Sequence, residues 1–193
     1  SIAIGYAAGY NLEGAAHSNV LIGKNAGHVM TTGVSTVAIG ISALAALTSG
    51  AGNTAIGYNA GKVLTTGARN TIMGNVAGDA LTTGYQNVVI GYESLSVATG
   101  SFQSVIIGDG ACGDGVVNAG QMVAIGSKAL QNLASGSYNV AVGYNAGNDA
   151  TLASGSVFLG YDAGGTVTTG NQNIAIGYNT MYGGTTTGDN NIA

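Results

Sequence analysis

The chain has no proline, no tryptophan, one cysteine and few charged residues. Gly is abundant, at 35 of 193 residues, but without proline and without Gly at every third position a collagen helix is excluded. Cys112 cannot form an intrachain disulfide and is expected to be a small buried apolar residue. With only 4 Lys and Arg residues there is no basic patch, so nucleic acid is not an expected partner.

Charge and hydropathy together indicate an ordered chain with little polar surface. Charged residues make up 6% of the sequence, whereas ordinary globular proteins have roughly 25%. Hydrophobic residues make up 46%, which excludes disorder. No apolar run is long enough to cross a membrane, so membrane insertion is not expected. A surface this poor in charge suits a chain that is covered by copies of itself.

A glycine that follows an apolar triplet recurs every 17 or 18 residues along the whole chain. A short fixed period indicates stacked repeats, and this one is too short for a pair of helices. The sequence therefore predicts an all-β fold, a parallel β-solenoid or β-roll with one coil per repeat. Residues 1–193 are expected to form a single repeat domain of about eleven coils. The predicted corner glycines are Gly23, Gly40, Gly57, Gly74, Gly91, Gly126, Gly143, Gly160 and Gly177.

The triplet before each glycine predicts a strand that is apolar on both faces. Its first and third residues, such as Thr54 and Ile56, share one face and are expected to line the inside of the coil. The middle residue is then expected to point outward, and because it is never polar it should pack on another copy. The predicted interface residues are Leu21, Ala55, Ile72, Val89, Ile106 and Phe158.

Three further columns repeat with the same period. An Asn recurs four residues before the glycine, as at Asn53, and either bonds amide to amide between coils or tolerates the corner geometry. Thr-Thr-Gly marks the far corner. Tyrosines follow the aligned glycine and either stack or contact carbohydrate or another surface through exposed rings. The ladder candidates are Tyr58, Tyr92, Tyr144, Tyr161 and Tyr178.

The ends and the less regular coils carry separate expectations. Both termini fall within a repeat, so the sequence is expected to be an internal segment of a longer fibre protein. Three less regular stretches, residues 109–120, 148–155 and 181–188, are expected to bulge from the rod as loops.

The stretch from Asn53 to Gly67, N-T-A-I-G-Y-N-A-G followed by L-T-T-G, resembles the shaft repeats of tail fibres of tailed bacteriophages. Val37 to Gly40 and Val123 to Gly126, both V-A-I-G, are also similar to head repeats of trimeric autotransporter adhesins. The resemblance implies a homotrimer, located in a virion tail fibre or, alternatively, on a bacterial cell surface. It also implies that a host receptor is bound by another part of the fibre.

The candidate chemical motifs are weak. Gly108 to Gly113 matches the dinucleotide fingerprint, but that motif must open a helix, and here another coil follows. Asp109 and Asp114 leave open whether their loop binds an ion. His17 and His28 lack partners at ligand spacing. No catalytic, metal or cofactor-binding residue is predicted.

These patterns predict a non-catalytic structural shaft of a trimeric phage tail fibre. A bacterial adhesin is the alternative. A more distant alternative is an ice-binding solenoid, because ranked threonines on a flat face can order water; here the two threonines of each pair are adjacent, so only one can face a given side.

Overall fold

The computed structural model describes residues 1–115, 120–183 and 186–193. As predicted, the described residues form an all-β parallel solenoid, and none of them is helical. Every strand has three residues and precedes an aligned glycine. The strands are β1 Ile2–Ile4, β2 Val20–Ile22, β3 Val37–Ile39, β4 Thr54–Ile56, β5 Thr71–Met73, β6 Val88–Ile90, β7 Val105–Ile107, β8 Val123–Ile125, β9 Val140–Val142, β10 Val157–Leu159 and β11 Ile174–Ile176.

The eleven strands form one parallel sheet in sequence order. Equivalent residues of successive coils pair with each other, so that Thr54, Ala55 and Ile56 lie opposite Thr71, Ile72 and Met73. The hydrogen bonds run along the axis: the Thr54 amide donates to the Asn70 carbonyl at 2.8 Å, and the Gly57 amide donates to the Ile39 carbonyl at 2.8 Å. At a strand spacing of about 4.8 Å, this sheet is roughly 50 Å long.

The aligned glycines end the strands at a corner that only glycine can form at this spacing. Gly23, for example, has a φ of 128°, and a β-carbon there would lie 2.5 Å from the Gly40 carbonyl oxygen. Side chains are rarely compatible with that backbone conformation, and the next coil is too close to admit one. The corner therefore requires glycine because of both its φ angle and its packing.

The strand orientation is opposite to the sequence-based prediction. In β2 to β11 the middle residue lies inside the coil with 0% exposure, which applies to Leu21, Ala55, Ile72, Val89, Ile106 and Phe158. The first and third residues face outward and are half-buried or exposed. The prediction that the middle column forms a subunit interface is therefore wrong, since those side chains fill the core of their own coil.

A second column inside the coil explains this orientation. Four residues after the aligned glycine stands a large apolar side chain, as at Leu44 and Leu130, another glycine or, in one coil, Cys112. A β-carbon at Gly27 would lie 2.9 Å from Leu21 Cδ2, and one at Gly61 would lie 2.9 Å from Ile72 Cδ1. Large middle residues thus use space that glycines leave free. Leu44 and Ile72 of the neighbouring coils fill the space beside the small pair Ala55 and Gly61, so the two columns compensate along the rod and not within each coil.

The Asn column forms a buried ladder beside the strands. Asn70 Nδ2 donates to Asn53 Oδ1 at 3.1 Å and to the Gly84 carbonyl at 2.8 Å. Asn70 Oδ1 in turn accepts from the backbone and side-chain amides of Asn87 at 3.1 and 3.0 Å. Amide-to-amide bonding between coils is therefore present here. These contacts hold the corner before the strands that an Asn precedes and satisfy buried polar groups.

The less regular coils differ among themselves. Residues 148–155 do not bulge: Ala150 and Ala153 are in the core, and the Leu152 amide bonds to Thr168 in the next coil at 3.0 Å. The loop prediction is wrong there, because the stretch keeps the ordinary coil length. Residues 116–119 and 184–185, parts of the other two predicted loops, lie outside the described residues.

Candidate functional surfaces

The outward residues of β2 to β11 form a continuous apolar surface, here called the outer strip. None of its residues is charged, and its only polar side chains are Thr54 and Thr71. Its most exposed members are Met73 at 37%, Val142 at 37% and Ile176 at 56%. The strip consists of Val20, Ile22, Val37, Ile39, Thr54, Ile56, Thr71, Met73, Val88, Ile90, Val105, Ile107, Val123, Ile125, Val140, Val142, Val157, Leu159, Ile174 and Ile176.

The outer strip is a large contiguous apolar surface. Three residues at about 3.3 Å each and a sheet of roughly 50 Å give an area of about 500 Å². Contiguous apolar patches of this size on a monomer are commonly interaction sites. A further sheet or another copy of the chain could cover it without burying a charge.

The tyrosine column is a stacked ladder over part of its length. The rings of Tyr144 and Tyr161 lie 5.1 Å apart at 18°, and those of Tyr161 and Tyr178 lie 5.2 Å apart at 16°. The negative charge of Asp162 raises the pKa of the Tyr161 hydroxyl. Stacked rings expose mainly their edges to solvent. The ladder therefore offers little aromatic face to a ligand except at its ends.

Tyr58 and Tyr92 occupy the same column but are separated by Asn75. Their rings are 50% and 51% exposed, and neither stacks on another ring in the described part of the chain. A hydrogen bond with Glu93 and its charge raise the pKa of Tyr92. These two positions are thus isolated exposed rings, whereas Tyr144, Tyr161 and Tyr178 form one stack.

The Thr-Thr corners present only one exposed threonine per coil. In the pair Thr65-Thr66, the Thr65 hydroxyl donates to the Thr82 carbonyl of the next coil at 3.0 Å, and Thr66 is exposed. Thr48 makes the same bond to Thr65 at 3.1 Å. The first threonine is therefore used between coils, which leaves a single outward column instead of the two-column face that ordered water would need.

The candidate residues for catalysis or metal binding do not lie close together. Cys112 is fully buried, and burial raises the pKa of its thiol to about 12. Asp109 is exposed, and Asp114 Oδ2 accepts a hydrogen bond from Gln131 Nε2 at 2.6 Å. His28 stacks on Tyr10 at 5.5 Å, while His17 is exposed. Among the described residues no three His, Cys, Asp or Glu side chains lie close enough together to hold a metal ion.

An open groove lies on the corner before β10 and β11. It has a volume of about 410 Å³ and is lined by Tyr138, Ser154, Gly155, Asn171, Gln172 and Asp189. Gly155 creates the gap, because the equivalent positions in the coils before and after it carry the side chains of Tyr138 and Gln172. The Tyr138 ring is 64% exposed. We call this surface the Tyr138 groove.

Hydrogen bonds fix one wall of the Tyr138 groove. Asn171 Oδ1 accepts from the Ser154 amide at 3.0 Å, and Asp189 Oδ1 accepts from the Asn171 amide at 2.6 Å. Asn171 Nδ2 also lies 3.4 Å from Asp189 Oδ1. Within the described residues, Asp189 Oδ2 and the Gln172 side-chain amide have no protein partner. The groove thus combines an aromatic face with polar groups that are free to bind.

The chain matches no protein-family model, no curated protein and no solved structure. The described residues also contain no helix with the length and hydropathy needed to cross a bilayer. Its function is therefore inferred from the repeat, the outer strip and the Tyr138 groove.

Sequence reasoning missed the two surfaces that remain most open. The outer strip was assigned to the core because two of three strand residues share that face. The Tyr138 groove depends on Gly155 following Tyr138 in a column that also carries Gly52 but holds no other tyrosine. A column-by-column comparison of side-chain size would have revealed both the Gly155 gap and the compensation within the core.

Proposed function

We propose that this chain is a non-catalytic shaft segment of a trimeric phage tail fibre. The observation that carries the proposal is the outer strip, which is apolar over ten coils and contains no charge. Its position is consistent with three parallel rods whose strips meet at a common axis. The repeat's resemblance to tail-fibre shafts supplies the choice of three copies and the location in a virion.

The energetics favour covering the strip. Burying about 500 Å² of apolar surface on each chain would contribute on the order of 10 kcal/mol before the cost of association. A standard interface buries about 800 Å² on each partner, so residues flanking the strip would have to contribute as well. With a net charge of -4 spread over the chain, repulsion between copies is small.

The axial hydrogen bonds support a mechanical role. Successive coils are bonded through backbone amides, and several of them also through the buried Asn ladder and threonine hydroxyls. Bending the rod would have to stretch these bonds on one side and compress the packed core on the other. Such a rod can hold a receptor-binding tip away from a particle.

A bacterial surface adhesin is the second candidate. The V-A-I-G sequences at Val37 to Gly40 and Val123 to Gly126 favour it, and it would use the same outer strip. Immunogold labelling with an antibody against this chain separates the two: phage fibres label in one case and cell surfaces in the other. Labelling of neither would contradict both locations.

The oligomer is tested by measuring native mass in solution. We expect a mass three times the 18.7 kDa of one chain. Ile39→Glu with Ile56→Glu should give monomers, because glutamates on the strip cannot be buried without a large desolvation cost. Ser49→Glu with Thr66→Glu, at exposed positions in the same coils, should leave the trimer intact. A wild-type chain that remains monomeric would refute the fibre proposal.

A further inference from the structure

We propose that the Tyr138 groove binds an uncharged carbohydrate, with one face of a pyranose ring lying on the Tyr138 ring. This proposal does not depend on the chain being a fibre shaft. It rests on the shape of the groove, on the groups that have no protein partner and on the charge of the lining.

The shape suits one sugar ring. Tyr138 and Gln172 lie two coils apart, a separation of roughly 10 Å at the strand spacing. Gly155 lies between them and has no side chain. A β-carbon there would lie 3.5 Å from Gln172 Cγ, which is an ordinary van der Waals contact, so Gln172 forms the far wall of the gap. The resulting slot is about the thickness of a saturated six-membered ring between two walls. Its volume of about 410 Å³ falls within the range of small-molecule sites.

The aromatic wall differs from the tyrosine ladder. The Tyr138 ring stacks on no other ring within the described residues, so its face is not already covered as in the stack from Tyr144 to Tyr178. The C–H groups on one face of a pyranose are weakly positive and pack against the negative face of an aromatic ring. A bare exposed ring beside a gap is thus a suitable platform.

The polar wall suits hydroxyl groups. Asp189 Oδ2 can accept from one or two hydroxyls, and the Gln172 side-chain amide can both donate and accept. The opposite carboxylate oxygen is held by the Asn171 amide at 2.6 Å, which fixes the direction of the free one. Adjacent hydroxyls on a sugar present the alternating donors and acceptors that such a pair can bind.

The charge of the lining excludes anionic ligands. No Lys or Arg lines the groove, and Asp189 adds a negative charge. A phosphate, a sialic acid or a uronic acid would be repelled by this carboxylate and would find no cation to pair with. The same argument disfavours nucleotides. An uncharged hexopyranose satisfies both the aromatic and the polar wall.

The test uses saturation-transfer NMR on the folded protein with methyl glycosides of glucose, galactose, mannose and N-acetylglucosamine. Sialic acid and glucuronic acid serve as anionic probes. We expect saturation of the ring protons of at least one neutral glycoside and at least tenfold weaker transfer to both acids. No transfer to any neutral glycoside, or stronger transfer to an acid, would overturn the proposal.

Two variants test whether the saturation transfer arises from binding in the Tyr138 groove. Gly155→Gln fills the gap, and the column tolerates it because Gln86, Gln103 and Gln121 have φ values of 57°, 52° and 60°, close to the 65° of Gly155. Tyr138→Ala removes the aromatic wall. Both variants should lose the transfer by at least tenfold. Unchanged thermal unfolding verifies that each variant is folded.

Gly52→Gln is the matched control, because Gly52 occupies the same column with a φ of 69° but has no tyrosine beside it. It should retain full transfer. If Gly155→Gln binds as well as wild type, or if Gly52→Gln loses the signal equally, binding is not in the groove and the proposal is refuted.

Discussion

Exchanging the sizes of two core side chains tests the orientation of the strands. Phe158 is fully buried, and a β-carbon added at Gly147 or Gly164 would overlap its ring. Phe158→Ala should therefore leave a cavity and lower the free energy of unfolding by about 3 to 5 kcal/mol. Gly164→Leu alone should overpack the same space and cost about 1 to 3 kcal/mol.

The double variant should recover most of this loss. Alanine at 158 with leucine at 164 reproduces the combination of Ala38 with Leu44, and Leu44 itself has a φ of 49° in that column. Because the cavity and the added side chain occupy the same space, the two effects should not add. We expect the double variant to lie within about 2 kcal/mol of wild type, by denaturant unfolding followed with circular dichroism at equal chain concentrations.

A control pair and a second measurement make the result decisive. Phe158→Ala combined with Gly78→Leu should be additive, since Gly78 lies against Ile72 five coils away. Sedimentation should give the same native mass for wild type and Phe158→Ala. Additivity of the 158 and 164 changes, or loss of oligomer without loss of chain stability, would mean that Phe158 faces outward, and would refute the orientation described above.

Three smaller changes probe the rest of the coil. Asn70→Ala should cost about 3 kcal/mol in thermal or denaturant unfolding, because it leaves buried partners in two neighbouring coils unsatisfied, while exposed Asn75→Ala should change little. Burial raises the pKa of Asp79, whose Oδ1 has no partner. Its folded pKa thus exceeds the unfolded one, and its contribution to stability is present in acid and lost as pH rises through the folded pKa. Asp79→Asn should raise the free energy of unfolding at neutral pH by less than about 1 kcal/mol. It should also weaken the dependence of that free energy on pH in the acid range, and identical pH profiles for the variant and wild type would contradict this. Cys112, with a pKa of about 12, should react with an aromatic disulfide reagent at neutral pH only after unfolding, and prompt labelling of the folded chain would show that it is accessible.

The period of 17 residues was enough to predict the fold. Each strand begins and ends where the triplet before the aligned glycine does, as in Thr54–Ile56. The parallel register follows too, since equal coil lengths place equivalent residues opposite each other. The repeat pattern alone determines the strand bounds and the register because each coil packs only against its neighbours.

The direction of the side chains could not be obtained from the triplet alone. A three-residue strand has two residues on one face and one on the other, and here both faces are apolar. Which face of the strand is buried depends on the residue six positions after the middle one, such as Gly78 for Ile72 or Leu44 for Ala38. That relation crosses the coil, so it is a tertiary constraint and not a strand pattern.

The Tyr138 groove was missed for a related reason. Sequence motifs for chemical sites consist of clustered ionisable residues, whereas this surface is produced by the absence of a side chain at Gly155. Asp189 and Asn171 come together only because successive coils place positions 18 residues apart side by side. A ligand site on a solenoid is therefore assembled along the axis, across repeats, and not within one stretch of sequence.

Side-chain size varies widely along the inner column of the strands and little along the outer strip, and this contrast bears on the proposed oligomer. The inner column ranges from Ala55 to Phe158, and its largest member, Phe158, lies against the glycines Gly147 and Gly164 of the second column. The outer strip is nearly uniform, since eighteen of its twenty residues are Val, Ile, Leu or Met. Strand propensity alone would favour Thr as well as Val and Ile on an exposed face, yet Thr occurs only at Thr54 and Thr71. A strip that must fit a flat apolar partner at every coil would have both properties, uniform size and low polarity, which is the pattern expected if copies of this chain cover it.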